Sequence, residues 1–102
     1  MSDTMFATKE AQQAVKELPF VTEVGRGSID FWTGVEASGD ADADVALGEQ
    51  CADMALYLAR KFQMPLLIAM CLRDMILAGR FTAVEAGFVA SIASAASVWS
   101  NH

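Results

Sequence analysis

Apolar residues recur along this chain at the spacing of an α-helix in four separate stretches. The first stretch runs from about Met5 to Leu18 and ends before Pro19, whose ring cannot continue the helical hydrogen bonds. Its apolar positions form one narrow stripe: Ala7, Ala11, Ala14, Val15 and Leu18. A stripe made mostly of alanine buries little surface, so we expect this helix to dock loosely or against a partner.

The second stretch predicts a helix from near Asp44 to near Phe62, with Asp42 or Asp44 as its N-cap. Its inner face, at a spacing of 3.6 residues, consists of Gly48, Cys51, Ala52, Ala55, Leu58, Ala59 and Phe62. Four of these seven residues are glycine or alanine. The backbone of a packing partner can therefore approach this face closely.

The third stretch predicts a helix from Pro65 to Ala78 that ends at Gly79. Its apolar residues cover every side: Leu66, Leu67, Ile68, Ala69, Met70, Cys71, Leu72, Met75, Ile76 and Leu77. A helix that is apolar all round must be surrounded by other elements. We therefore expect the third helix to be the centre of the structure.

The fourth stretch begins with a capping box, T-x-x-E, formed by Thr82 and Glu85 and preceded by the apolar Phe81. The helix that it starts is predicted to continue to about Trp99. One row of this helix contains only small residues, at Gly87, Ser91 and Ala95. This row would let a neighbouring helix pack closely.

The segment between the first and second helices is the least regular. Residues 20–24 resemble a strand and the sequence Gly25-Arg26-Gly27 ends it, while Ser28 could cap a short helix over residues 29–32. Because a lone strand would have unpaired edges, we predict a loop with one short helical turn. Phe31 and Trp32 are too large to be left exposed, and could fold over the third helix as a lid.

Together these elements predict an all-α fold, in which three long helices and an N-terminal helix form a compact four-helix bundle. Residues 20–43 form its irregular segment, and residues 1–102 form a single helical domain. With 54% hydrophobic and 20% charged residues, the chain is too apolar to be disordered.

Charge excludes one class of partner. The formal net charge is −6, and the segment from Glu23 to Asp53 holds eight acids and one base. A protein that binds nucleic acid needs clustered positive charge, so we predict no nucleic-acid partner. The N-terminus lacks a secretory signal, and Cys51 and Cys71 lie within apolar helical patterns. These features predict a cytoplasmic protein with two buried, reduced thiols.

Residues 64–99 are apolar enough to suggest a membrane hairpin. Arg73 and Asp74 interrupt the first half of this region and leave only Met64–Leu72 uncharged before them. A membrane-spanning helix needs about 20 apolar residues. Glu85 and several serines dilute the second half. The sequence therefore predicts no membrane partner.

Metal sites and catalytic groups are not evident. Asp40, Asp42 and Asp44 match the first three ligand positions of an EF-hand loop, but Val45 and Cys51 replace the required glycine and glutamate. A zinc site through Cys51, Cys71 and His102 would lack the paired ligand spacing. We predict no metal, no cofactor and no catalytic residue, and rank an enzyme last among the functions.

Two adjacent charges, Arg73 and Asp74, lie midway along the apolar third helix. Such charges destabilise a buried helix unless they are paired or exposed. One interpretation is structural, with both residues at a wet edge or in ion pairs with neighbouring elements. The other makes them, with Phe31 and Trp32, the recognition residues of an interface or pocket. Structural ion pairs are the commoner case.

The remaining apolar surface favours self-association. We predict a protein–protein interaction or regulatory module that forms a homodimer through helix three or four, and whose acidic segment could meet a basic protein partner. The alternative is a small-ligand-binding domain with an apolar pocket between helices 64–78 and 82–99, beneath Trp32.

Overall fold

The described residues form four α-helices and one short β-hairpin, which confirms the predicted mostly helical four-helix fold. The computed structural model describes residues 8–25, 27–33 and 35–100, the last three through their backbone alone. The helices are α1 (Lys9–Lys16), α2 (Ala41–Lys61), α3 (Leu66–Ala78) and α4 (Ala83–Ser100). The strands are β1 (Thr22–Val24) and β2 (Ser28–Asp30). The predicted helix start at Met5 and the side chain of Trp99 lie outside the described residues.

The predicted irregular segment contains a hairpin, so the expectation of a loop with a helical turn is wrong. β1 and β2 pair antiparallel, with Thr22 opposite Asp30 and Val24 opposite Ser28. Gly25 has a φ of 63°, a left-handed conformation that glycine adopts without strain. The two strands pair with each other, and this satisfies backbone groups that a lone strand would have left unpaired.

The second helix starts earlier than predicted, because its N-cap is Asp40 rather than Asp42 or Asp44. The Asp40 carboxylate accepts hydrogen bonds from the backbone N–H groups of Asp42 (3.1 Å) and Ala43 (3.3 Å). At the end of α3, Gly79 has a φ of 75° and closes the helix in the left-handed conformation, as the sequence predicts.

The most extensive contact between helices joins α2 and α4. A Cβ atom placed on Gly48 would lie 1.9 Å from the carbonyl oxygen of Val84, and one placed on Gly87 would lie 2.2 Å from the carbonyl oxygen of Val45. The two helix backbones therefore touch at these glycines. The predicted close-packing faces of the second and fourth helices are confirmed, and they pack against each other.

The predicted central position of the third helix is wrong. One side of α3 is buried through Leu67, Cys71, Asp74 and Met75, but Leu66, Ile76 and Leu77 are 54%, 77% and 74% exposed. The molecule measures 38 × 37 × 19 Å. Because a helix with its side chains is about 10–12 Å across, a thickness of 19 Å holds two helix layers and cannot enclose one helix on all sides. The α2–α4 pair is the centre instead.

No helix within the described ranges has both the length and the apolar character that crossing a bilayer requires.

Candidate docking surface

The buried carboxylate of Asp74 joins three of the predicted site residues. It accepts a hydrogen bond from the backbone N–H of Phe31 at 2.8 Å, and the guanidinium of Arg73 contacts its other oxygen at 2.9 Å. Adjacent helical residues point about 100° apart, but the long arginine side chain bends back far enough to meet its neighbour. The cluster attaches the chain after β2 to α3, and its ion pair joins Arg73 and Asp74 to each other rather than to a neighbouring element.

Trp32, the fourth predicted site residue, packs on α4. Its ring lies 4.9 Å from that of Phe88 and 5.3 Å from that of Phe20, measured between centroids, and the side chain is buried. The predicted lid is therefore divided between two helices, with Phe31 attached to α3 and Trp32 to α4. Phe20 and Phe88 fill the space next to the indole, in which the sequence predicts a ligand pocket beneath Trp32.

Glu85 anchors both the start of α4 and Trp32. Its Oε1 accepts the backbone N–H of Thr82 at 2.6 Å, which confirms the predicted capping box, and its Oε2 accepts the indole N–H of Trp32 at 2.9 Å. Burial alone would raise the pKa of Glu85, but hydrogen bonds from Thr82 and Trp32 outweigh it and lower the pKa. The capping motif reveals the first contact, whereas the second joins residues 53 positions apart and has no sequence signal.

The aspartates before α2 are used within the fold. The buried carboxylate of Asp44 accepts the backbone N–H of Ser38 at 2.9 Å, the Ser38 hydroxyl at 2.7 Å and the backbone N–H of Gly39 at 3.2 Å. The hydrogen bonds from Ser38, backbone first, lower the pKa of Asp44. In the part of the chain that the structure describes, no three metal-ligating side chains converge.

Acid is expected to destabilise the protein through these two carboxylates. Asp44 and Glu85 have lower pKa values in the folded chain than usual, so their stabilising effect is complete above the unfolded pKa and is lost as pH falls through the folded pKa. We expect these two carboxylates to leave the free energy of unfolding unchanged between about pH 5 and pH 8 and to lower it below about pH 4. Urea titrations at each pH measure it, and Asp44→Asn should give a shallower profile. Stability that rises on acidification would contradict this account.

Both cysteines are buried and free of a disulfide, as predicted. Burial, followed by the nearby charge of Asp74, raises the pKa of Cys71 to about 12, and burial also raises the pKa of Cys51. Thiols with such pKa values stay protonated at neutral pH and are poor nucleophiles.

An open groove runs between α3 and α4, whose axes stay far enough apart that few of their Cα atoms come within 8 Å. One half of this α3–α4 groove, ≈ 410 Å³, lies above Leu56 and Ala59 of α2 and is lined by Pro65, Ile68, Ile92 and Ala96. The other half, ≈ 380 Å³, is lined by Leu72, Met75, Ile76, Phe81 and Val89. Ile68, Leu72 and Met75 on α3, and Val89, Ile92 and Ala96 on α4, recur at helical spacing, so the two halves lie in line along the boundary between the helices.

The groove is apolar and partly exposed. Ile76, Phe81 and Val89 line it and are among the exposed large apolar side chains of the molecule. It lies between residues 64–78 and 82–99, as the predicted apolar pocket does, but it is an open channel and Trp32 does not line it. Leu77 is as exposed as Ile76 but lines a separate depression beside the hairpin, with Val24 and Arg73.

Comparison with models of known protein families, with curated proteins and with solved structures finds no match for this chain.

Proposed function

We propose that this protein is a protein–protein interaction module, and that the α3–α4 groove is its docking surface for a helix of another chain. The observation that carries the proposal is the exposure of Ile76 and Phe81 beside an open apolar channel. Exposed apolar surface of this kind is unfavourable in water and is typical of interaction sites.

The shape of the groove favours a helix as the bound element. Two helices that lie apart leave a channel into which an apolar helix face can pack, a common mode of recognition. α3 has 13 residues and is therefore about 20 Å long, which corresponds to about four turns of a bound helix. Side chains spaced at i, i+3, i+4 and i+7 on that helix would meet the channel.

Two adjacent exposed aliphatic residues allow a matched test of the docking surface. Ile76 and Leu77 are 77% and 74% exposed, but only Ile76 lines the groove. We expect Ile76→Asp to abolish partner capture while Leu77→Asp keeps it, because both substitutions place a carboxylate on the surface and only the first places it in the channel. Quantitative mass spectrometry of proteins retained by immobilised full chain measures this. The proposal fails if none of the proteins retained by the wild type is both lost with Ile76→Asp and kept with Leu77→Asp.

A homodimer is the second candidate, because the exposed side of α3 lies directly beside the apolar groove. In a two-fold dimer the exposed side of each copy could enter the groove of the other. Equilibrium sedimentation at micromolar concentration tests this, since a dimer has twice the 10.9 kDa mass of one chain. A dimer that Ile76→Asp dissociates would assign self-association as the function, and a monomer would exclude it.

The acidic segment offers a separate prediction, a basic protein partner. Asp40 and Asp44 are engaged by backbone and serine donors, while Glu49 and Asp53 are exposed on α2. Co-purification of a basic protein that high salt disrupts, and that Asp53→Asn weakens, would support it. Co-purification that is indifferent to salt would count against it.

A further inference from the structure

Two consecutive residues, Phe31 and Trp32, connect α3 to α4. The backbone N–H of Phe31 donates to the carboxylate of Asp74 on α3 at 2.8 Å, and the indole N–H of Trp32 donates to the carboxylate of Glu85 on α4 at 2.9 Å. All four residues are buried. We call Phe31 and Trp32 the clamp, because they tie the two helices together.

The clamp uses one oxygen of each carboxylate. Asp74 gives Oδ2 to the clamp, and its Oδ1 accepts from Arg73 on the same helix. Glu85 gives Oε2 to the clamp, and its Oε1 accepts from Thr82 at the start of α4. One oxygen therefore bonds locally, and the other joins the two helices. Hydrogen bonds to carboxylates are stronger than those between neutral groups.

The clamp attaches to α3 and α4 beside residues that line the α3–α4 groove. Asp74 lies two residues before Ile76, and Glu85 lies one turn before Val89. Neither clamp residue lines the groove itself. Because α3 and α4 make few direct contacts along their length, their spacing depends on the connecting residues 79–82, on packing against α2 and on the clamp.

We infer that the clamp fixes the spacing of α3 and α4 and thereby controls how tightly a helix docks in the α3–α4 groove. The inference rests on the proposed function and names the regulation of that site. With the clamp closed, the groove is preformed, and docking does not have to order α3. Since coupling between two sites is reciprocal, docking in turn favours the closed clamp and holds residues 20–33 on the helices.

Spin labels test the clamp without a docked partner. Leu77→Cys on α3 and Ala90→Cys on α4 place labels at exposed positions outside the groove, while the native thiols are buried. We expect Trp32→Phe, which removes the indole donor, to broaden the distribution of distances between the labels, measured by double electron–electron resonance. Ala46→Gly, at an exposed position of α2, should leave it unchanged. An unchanged distribution with Trp32→Phe would overturn the clamp.

A displayed library of amphipathic helices tests the control of docking. Each helix has about 16 residues, with leucine at i, i+3, i+4 and i+7 and the other positions varied. Helices recovered by the full wild-type chain are made as peptides, and fluorescence anisotropy gives their affinities for variants that circular dichroism shows to be folded. Trp32→Phe and Asp74→Ala open the clamp at α4 and at α3, and each should weaken binding at least about fivefold. Ala46→Gly should not.

The outcomes separate the clamp from the docking function. Peptides that bind both clamp variants as tightly as the wild type would leave the docking surface in place and overturn its control by the clamp. Ile76→Asp should bind none of the peptides, because its carboxylate lies in the groove. Recovery of no helices by the wild type, or peptides that still bind Ile76→Asp, would overturn both proposals.

Discussion

Gly48→Ala is expected to destabilise the protein by about 3 kcal/mol, a large share of the 5–15 kcal/mol that typically holds a domain together. The new Cβ would lie 1.9 Å from the carbonyl oxygen of Val84 and 2.8 Å from the backbone nitrogen of Phe88. Both atoms belong to the backbone of α4, so no side-chain rotation can relieve the overlap. The α2–α4 pair would have to separate along the most extensive contact in the molecule.

The direction of the change in stability distinguishes backbone contact from an open helix. In an open helix, alanine in place of glycine stabilises by about 1 kcal/mol, because it restricts the unfolded backbone. Guanidinium unfolding followed by circular dichroism gives the free energy for Gly48→Ala and for a control, Ala46→Gly, at an exposed position of α2. The control should lose only about 1 kcal/mol. A Gly48→Ala protein as stable as the wild type would show that the two backbones do not touch.

Trp32→Ala is expected to be the other most damaging substitution, with a loss of about 3–5 kcal/mol. It removes a buried indole that packs between Phe20 and Phe88, and it removes the donor that Glu85 accepts at 2.9 Å. A cavity at this position would also loosen the attachment of the irregular segment to α4. Urea unfolding measures the loss.

A second substitution at the same position separates packing from hydrogen bonding. Trp32→Phe keeps an aromatic ring beside Phe88 but leaves the buried Oε2 of Glu85 without the indole donor, so we expect a loss of about 1–3 kcal/mol. Tyr57→Ala, at an exposed aromatic residue, should change stability by no more than about 0.5 kcal/mol. If Trp32→Ala is no worse than Tyr57→Ala, then Trp32 does not hold the segment in place.

Local signals in the sequence predicted most of the helical structure. The spacing of apolar residues located four helices. Residues that cap helices marked several helix ends, such as Gly79 after α3 and Thr82 before α4. These signals join residues only three or four positions apart, so both residues of each contact can be read from one short stretch of sequence. The hairpin was not predicted because its stability depends on the pairing of two short strands, and neither strand has a clear sequence pattern of its own.

The position of α3 could not be predicted from its own composition. The rule that an apolar helix must be surrounded assumes that other helices are free to surround it. Here α2 and α4 pack against each other at Gly48 and Gly87, because only glycine lets the two backbones touch. That pairing occupies the two longest helices and leaves α3 with one open side. The α3–α4 groove follows from this pairing, and the sequence of α3 contains no signal for it.

Cysteine labelling at Ile76 tests most directly whether the α3–α4 groove is open to water in the free protein. The native thiols, Cys51 and Cys71, are buried and should not react with an aromatic disulfide reagent at neutral pH. We expect Ile76→Cys to react as fast as Leu77→Cys, at a rate that does not change with protein concentration. An Ile76→Cys thiol that is protected while Leu77→Cys reacts would show that the groove is already covered and would contradict the account.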